Sequence, residues 1–384
     1  MRGAVTSEAA RKRQRRTPEL SRGAATYTVR LAGRSDDGSI RRLLRERAMP
    51  GTIRLSFQRE PSYFDGLDRE CLRHDTVVVE DPHGGELIAI GARQVQPALF
   101  GGDSVRLGYL SQLRVASGRR IPLRAAREAW AILRSCRRED ELPFDLTSIA
   151  SENREARRLL ERGVPGQPHY HFLAPYRVHV LATNVPNRSA RTREFELRNA
   201  DQATGGEAMA LHGQACREAK LAVPGQPHEE SSLRLVASRN GRIVAGLAVE
   251  DAAARRQFVV RGYEGALHWS RPIVNLVMWM RGAPLLPDIG RPLRTGSISR
   301  LTCRPGSEAA IAPLVGHAAT LARRQGIDLL LAGCVPGDPV GAAIERTFRT
   351  RTYSSAIYAV AWEPLPPALV RLQPHDLHVE LSVL

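Results

Sequence analysis

The residues of this chain with the strongest ligand and nucleophile chemistry are thinly spread. Five cysteines stand at 71, 136, 216, 303 and 334. Their number is odd and no two are spaced as Cys-x-x-Cys. The sequence therefore points to neither a disulfide framework nor a zinc site, and a reducing cytoplasm fits best. His169 and His171 alternate as His-x-His with no carboxylate or thiol beside them, a pattern more typical of surface histidines than of metal ligands. Arg119, Arg120 and Arg124 gather around Pro122 at the start of a helix, as solvated loop charges or as charged donors. Asn153 opens another helix, where capping its own backbone competes with any outward role. Tyr109 shares a strand face with Leu107 and Leu113, so packing is its first reading and catalysis its second. Glu80 closes a β-branched strand, Thr76 to Glu80.

These residues sit in a chain of 384 residues, enough for about two domains. Apolar residues make up 42%, an ordinary core fraction, and no run reaches the roughly 18 apolar residues of a membrane span. The formal charge is +16. Nearly all of it is arginine, since Lys12 and Lys220 are the only lysines, and outside the N-terminal tail the arginines form no stripe. That pattern speaks for solvated arginines over nucleic-acid binding. The tail itself, residues 1–23, places Arg11, Lys12, Arg13, Arg15 and Arg16 where a signal peptide needs an apolar core, and is expected to be disordered.

The positioning elements follow from periodicity. Strands are expected at Tyr27 to Leu31, Thr76 to Glu80, Glu86 to Gln96, Val105 to Val115, Phe144 to Ile149 and His169 to Leu181. In the long strand, Val105, Leu107, Tyr109, Leu113 and Val115 share one face by period two. Helices are expected at Asp36 to Arg47, at Ser62 to Leu72, from Pro122 to Cys136, and after a Ser151 cap with Ala156, Leu159 and Leu160 inward. The polar tract Ala182 to Arg193 has no period and reads as a linker. The same order then recurs: strand, helix, a hairpin around Asn240-Gly241, a long strand Gly296 to Cys303, a helix capped by Ser307, and strands at Asp328 to Ala332 and Thr352 to Trp362 flanking a helix at Pro339 to Phe348. The order repeats although the residues hardly do. It divides the chain into a first domain at 24–182, a linker at 183–193 and a second, diverged domain at 194–384, similar in fold and with separate sheets. One tract breaks the symmetry. From Gly241 to Cys303 the second half is about twice as long as the first is from Gly85 to Val115. The extra residues, around 255–294, include Trp269, Trp279, Met278 and Met280. They read as local core or a domain contact ahead of a substrate wall.

The order strand, helices, hairpin, long strand, helix, strand, helix, strand resembles the GNAT N-acetyltransferase superfamily. Two stretches sharpen the resemblance: Leu113-Arg114-Val115 followed by Arg119-Arg120 and a helix, and Thr147 to Gly163, which is similar to the family's strand and Asn-x-x-Ala helix. A weaker echo lies at Leu301 to Gly306 and Gly337 to Phe348. The resemblance implies a mixed α/β fold of two tandem GNAT-like domains, acyl-coenzyme A (acetyl-CoA first) as cosubstrate without a metal, and direct attack of a small-molecule or peptide amine on the thioester. It further implies that Arg119, Arg120 and Arg124 hold the pyrophosphate beside the backbone of Ile121 and Leu123. Leu113 and Val115 would offer backbone groups to the pantetheine, Asn153 would belong to the binding helix, and Glu80 and Tyr109 are the catalytic candidates. The sequence departs from the family at three places. Ile121 and Leu123 replace loop glycines, Pro122 removes an N–H, and Leu160 stands where many members carry a tyrosine acid. A GNAT-fold binding or regulatory protein without catalysis is the alternative.

Overall fold

A computed structural model describes residues 27–49, 51–184, 194–226, 232–251, 253 and 256–384. The expected tail at 1–23 and most of the expected linker lie outside the described residues. In chain order the first half forms β1 (Thr28–Leu31), α1 (Asp37–Glu46), β2 (Ala48–Met49), β3 (Ile53–Gln58), α2 (Tyr63–Glu70), β4 (Arg73–Glu80), β5 (Leu87–Phe100), β6 (Asp103–Val115), α3 (Leu123–Ser135), β7 (Glu141–Ala150), α4 (Arg154–Glu161) and β8 (His169–Ala182). The second half forms β9 (Glu196–Asn199), α5 (Gln202–Glu218), β10 (Leu221–Val223), β11 (Ser232–Arg239), β12 (Arg242–Asp251), β13 (Gln257–Tyr263), α6 (Ala266–Met280), β14 (Thr295–Cys303), α7 (Ile311–Arg324), β15 (Leu329–Cys334), α8 (Pro339–Thr347), β16 (Arg351–Ala361), α9 (Pro367–Val370) and β17 (Leu377–Val379). No described helix is long and apolar enough to cross a membrane.

The strands reveal the repeat. One mixed sheet runs β1-β4-β5-β6-β7-β16 and continues β8-β15-β14-β12-β11-β9. Read from its two ends inward, the order is the same: edge strand, hairpin, long strand, and a partner strand parallel to it. The innermost strands are exchanged. β16, from the second half, pairs with β7 of the first, and β8, from the first half, pairs with β15 of the second. The two halves therefore share one continuous sheet, where the sequence led us to expect two. Local periodicity records that a strand exists but not which neighbour it pairs with.

Each half has a core beneath its own helices, and a further core is shared, where Leu107 and Phe144 of the first half pack with Leu221, Ile357 and Leu377 of the second. Ile40, Leu43 and Leu44 of α1 close with Tyr63 and Leu67 of α2 over β4 and β5. In the second half Ile311, Leu314, Val315 and Ala318 of α7 fill the space above β11 and β12. Burying one such side chain stabilises by about 1.5–3 kcal/mol. A second small sheet, β13-β3-β2, joins the halves. Beside it Glu70 is buried between Arg59 (2.8 Å) and Arg256 (2.9 Å).

Local chemistry corrects several expectations. Helix α4 is capped by Asn153, whose side chain accepts the Ala156 N–H at 3.2 Å, so the cap is not Ser151. Leu160 is buried, but Leu159 is 54% exposed. Ser307 makes no side-chain cap, and a 3-10 turn at Glu308–Ala310 precedes α7. The extra tract is β13 and helix α6, and α6 is no core element: it buries none of its residues, and Trp269 is 82% and Trp279 69% exposed. It is held instead by Asn275, whose side-chain amide bonds both the N–H and the carbonyl of Leu286 (2.8 and 3.1 Å).

Candidate functional site

The parallel pairing of β6 with β7 ends at Tyr109 opposite Leu146. Beyond that point the strands part. The cause lies on the other edge of β6, where a bulge against β5 falls between Ile90 and Ala92 and Gln112 takes a left-handed φ of 55°. A bulge re-aims the strand and shifts the side-chain phase by one residue. This breaks the expected single face: Leu107 and Tyr109 are buried, Leu113 is 46% exposed and Val115 is half-buried. The edge of Gln112 to Val115 that faces β7 pairs with no strand among the described residues. It presents backbone donors and acceptors to a notch between the two strands.

The notch leads to a helix start. The Ala116 N–H returns to the Ile88 carbonyl at 2.7 Å, and Gly118, at φ 72°, turns the chain toward α3. Pro122 precedes the helix without a side-chain cap, and the first turn holds no acidic residue. The terminus thus presents free N–H groups and a partial positive charge. Arg120, Leu123 and Arg124 are exposed around it and Ile121 is half-buried, while Arg119 is engaged with Asp81 at 2.9 Å. Asn153 is exposed at the start of α4 and serves there as the cap.

Of the two catalytic candidates, Tyr109 is buried at the point of parting, and its hydroxyl lies 2.8 Å from Ser148 Oγ. Burial raises its pKa, against the lowering effect of the Ser148 bond, so it is a proton donor at neutral pH. Glu80 Oε1 accepts from Arg30 Nε at 2.9 Å and Nη2 at 2.5 Å. Sequence reasoning missed three residues here: Gln112, Ser148 and Arg114. The Arg114 guanidinium bonds only the neighbouring Leu113 carbonyl, at 3.2 Å, and faces no carboxylate among the described residues. Burial, and then repulsion from Arg47, lower its pKa. The available signal was its place inside the quoted Leu-Arg-Val motif, where only the flanking apolar residues were weighed.

The second half repeats the geometry. Strands β14 and β15 stay parallel to Ile298 opposite Ala332. Then β14 bulges against β12, Arg300 takes φ 52°, and Gly306 takes φ 77°. The same sequence distance separates Gln112 from Arg300 and Gly118 from Gly306. The loop chemistry differs, however. Arg304 Nε donates to the Ile243 carbonyl at 2.8 Å, and the Gly306 N–H donates to the Glu308 carboxylate at 3.0 Å. An anion already occupies the position a phosphate would need. The space between these strands is a cavity lined by Ile298, Leu301, Asp338, His378 and Glu380, among others.

No protein-family model matches the chain, and no curated protein sequence matches it. Solved structures do. Saccharomyces cerevisiae N-myristoyltransferase with bound myristoyl-CoA is similar at a TM-score of 0.56 with 12% identity, over 88% of this chain and 84% of that one. A second structure of that enzyme with myristoyl-CoA gives 0.57 at 12% identity, over 92% and 85%. The GCN5-related glucosamine N-acetyltransferase region of a fungal multi-domain β-N-acetylglucosaminidase gives 0.52 at 13% identity, over 87% of this chain and 38% of that one.

Proposed function

We propose that this chain, whose fold is that of the GNAT superfamily in two tandem halves, transfers an acyl group from coenzyme A to an amine, with the cosubstrate held in the notch between β6 and β7. One contrast between the halves carries the reading. The helix start after β6 is flanked by arginines and has no acid, whereas the matching loop after β14 holds Glu308 at its centre. A pyrophosphate is drawn to the first and repelled from the second. Arg120 and Arg124 would meet phosphates beside the backbone of Ile121 and Leu123, with Arg119 shared with Asp81. The open edge at Leu113 and Val115 would pair with the pantetheine, and one of its N–H groups would receive the oxyanion. Acetyl-CoA is the first cosubstrate to try, and a small-molecule or peptide amine the acceptor.

In this scheme the amine nitrogen attacks the thioester carbon, the C–S bond breaks, and the thiolate leaves. Tyr109, with Ser148, is the proton donor nearest the parting strands. Glu80 is the proposed base, acting from its ion pair with Arg30 through water. A non-catalytic reading has one specific observation behind it: the family's tyrosine position is Leu160, 6% exposed and turned into the core, so it supplies no acid. Titration calorimetry with coenzyme A separates these readings. Arg120→Ala is expected to weaken binding about ten-fold, as loss of a charge-assisted bond of about 1.5 kcal/mol or more requires, while Arg304→Ala leaves it unchanged. Binding with no turnover over an amine panel would favour the non-catalytic reading. No binding to the wild-type chain would overturn both.

A further inference from the structure

We propose that His212, Cys216, His378 and Glu380 form a tetrahedral site for one zinc-class divalent cation, which fastens the C-terminal strand β17 to helix α5 and to the bulge of β14. The site is independent of the coenzyme A reading, since none of its residues belongs to the first notch.

The ligand set assembles from two elements. His212 and Cys216 are four residues apart on α5, hence on one face. His378 and Glu380 are two apart at β17, hence on one side of the chain. One ligand atom from each of His212, Cys216 and His378 lies within 4.8 Å of the others. Cys216 Sγ is 3.5 Å from His212 Nε2. Glu380 Oε1 is 3.9 Å from His212 Nε2 and 3.7 Å from His378 Nε2. Bond lengths of about 2.0–2.3 Å place tetrahedral ligand atoms roughly 3.3–3.8 Å apart. The separations of Glu380 from the two histidines and of Cys216 from His212 are close to this spacing, and Glu380, which lies outside the group within 4.8 Å, closes toward Cys216 to complete the tetrahedron.

The surroundings point the same way. His212 Nδ1 is 3.1 Å from Thr302 Oγ1, the outer bond that turns the other ring nitrogen, Nε2, toward a metal. His378 Nε2 is buried and has no hydrogen-bond partner. Glu380 Oε1 also accepts the N–H of Arg300, the residue with the left-handed φ in the β14 bulge, at 2.9 Å. Cys216, His212 and Glu380 are 2%, 4% and 8% exposed. A buried thiolate and carboxylate with two neutral imidazoles carry two negative charges, which a dication neutralises. The alternative chemistry for such a set is a thiol nucleophile. It is disfavoured because Cys216 does not line the cavity beside the cluster. Cys-x-x-Cys spacing and the His169-x-His171 pair were the zinc signals weighed in the sequence, so His212-x-x-x-Cys216 with His378-x-Glu380, about 160 residues apart, passed unnoticed.

The test uses the full chain, expressed with zinc supplied, dialysed, and analysed by elemental mass spectrometry. About one zinc per chain is expected. Cys216→Ser and His378→Gln should lose it, while Cys334→Ser should retain it, because Cys334 beside His179 (3.5 Å) completes no comparable set. Without any variant, a chelator should lower the melting temperature and added zinc restore it. Cobalt in place of zinc should show tetrahedral visible bands and a thiolate charge-transfer band. Substoichiometric metal with no melting shift on chelation or zinc addition overturns the proposal. So does an acyl adduct on Cys216 found by intact mass after incubation with acetyl-CoA.

Discussion

At the scale of the residue, the buried ion pairs set measurable behaviour. Burial works to raise the Glu70 pKa, but Arg256 and Arg59 overcome it and bring the carboxyl from 4.5 down to about 2. A pKa lowered by folding means stability that is complete above the unfolded value and lost as pH falls through the folded one. Acid unfolding should therefore draw on Glu70 between pH 4.5 and about 2. Glu70→Gln is expected to cost about 3–5 kcal/mol at neutral pH, because it removes the carboxylate that pairs with two buried guanidiniums. It should also flatten the loss across that window. Urea titrations at stepped pH check both. Gly108 is the second such position. Arg93 lies beneath β6, bound to Glu141 at 2.7 Å and Asp145 at 2.8 Å. A Cβ on Gly108 would collide with Asp145 Oδ1 and Arg93 Nη2. Gly108→Ala should lower stability by about 3 kcal/mol through overpacking and a disturbed ion cluster, visible as a lower urea midpoint at unchanged slope.

At the scale of the element, the bulges and helix α6 decide what was legible. The Asn240-Gly241 hairpin could be read because type I′ turns demand residues that accept positive φ. The bulges could not, because Gln112 and Arg300 adopt that backbone without being glycine, and nothing in their type announces it. The strand phase after the first bulge was therefore misjudged, and with it the facing of Leu113, and each bulge falls just before the Leu-Arg-Val and Leu-Thr-Cys stretches. Strands β3 and β13 escaped notice because they pair mainly with each other, about 200 residues apart, and the local partner of β3 is only the two-residue β2. Helix α6 misled in the opposite sense, since its tryptophans implied burial that the structure does not provide. Two outcomes follow. Gln112→Val should destabilise by about 1–2 kcal/mol, since a β-branched residue resists the left-handed region, while Gln112→Gly should not. Trp269→Ser and Trp279→Ser should leave the melting temperature within about 1 °C of wild type, because surface changes away from packed features shift stability by less than 0.5 kcal/mol or so.

At the scale of the whole molecule, the exchanged strands matter most. β16 lies between β7 and β8, paired with β8 from Arg351 opposite Val180 to Ala361 opposite His169 and with β7 from Ser355 opposite Ala150 to Val360 opposite Asp145. Removing residues 351–384 should abolish cooperative unfolding in both halves, and calorimetry that still showed an intact transition for residues 27–182 would count against this account of the sheet. The same arrangement dictates a timetable. Most two-domain proteins complete their first domain while the ribosome is still making the second. Here the strand that fills the middle of the sheet is made about 170 residues after β8, so the emerging polypeptide carries β7 and β8 with open edges over that whole stretch of synthesis. Open edges invite wrong partners. Nascent chains arrested at residue 350 should be cut by protease within 141–182, and chains long enough to bring residue 361 clear of the exit tunnel should resist.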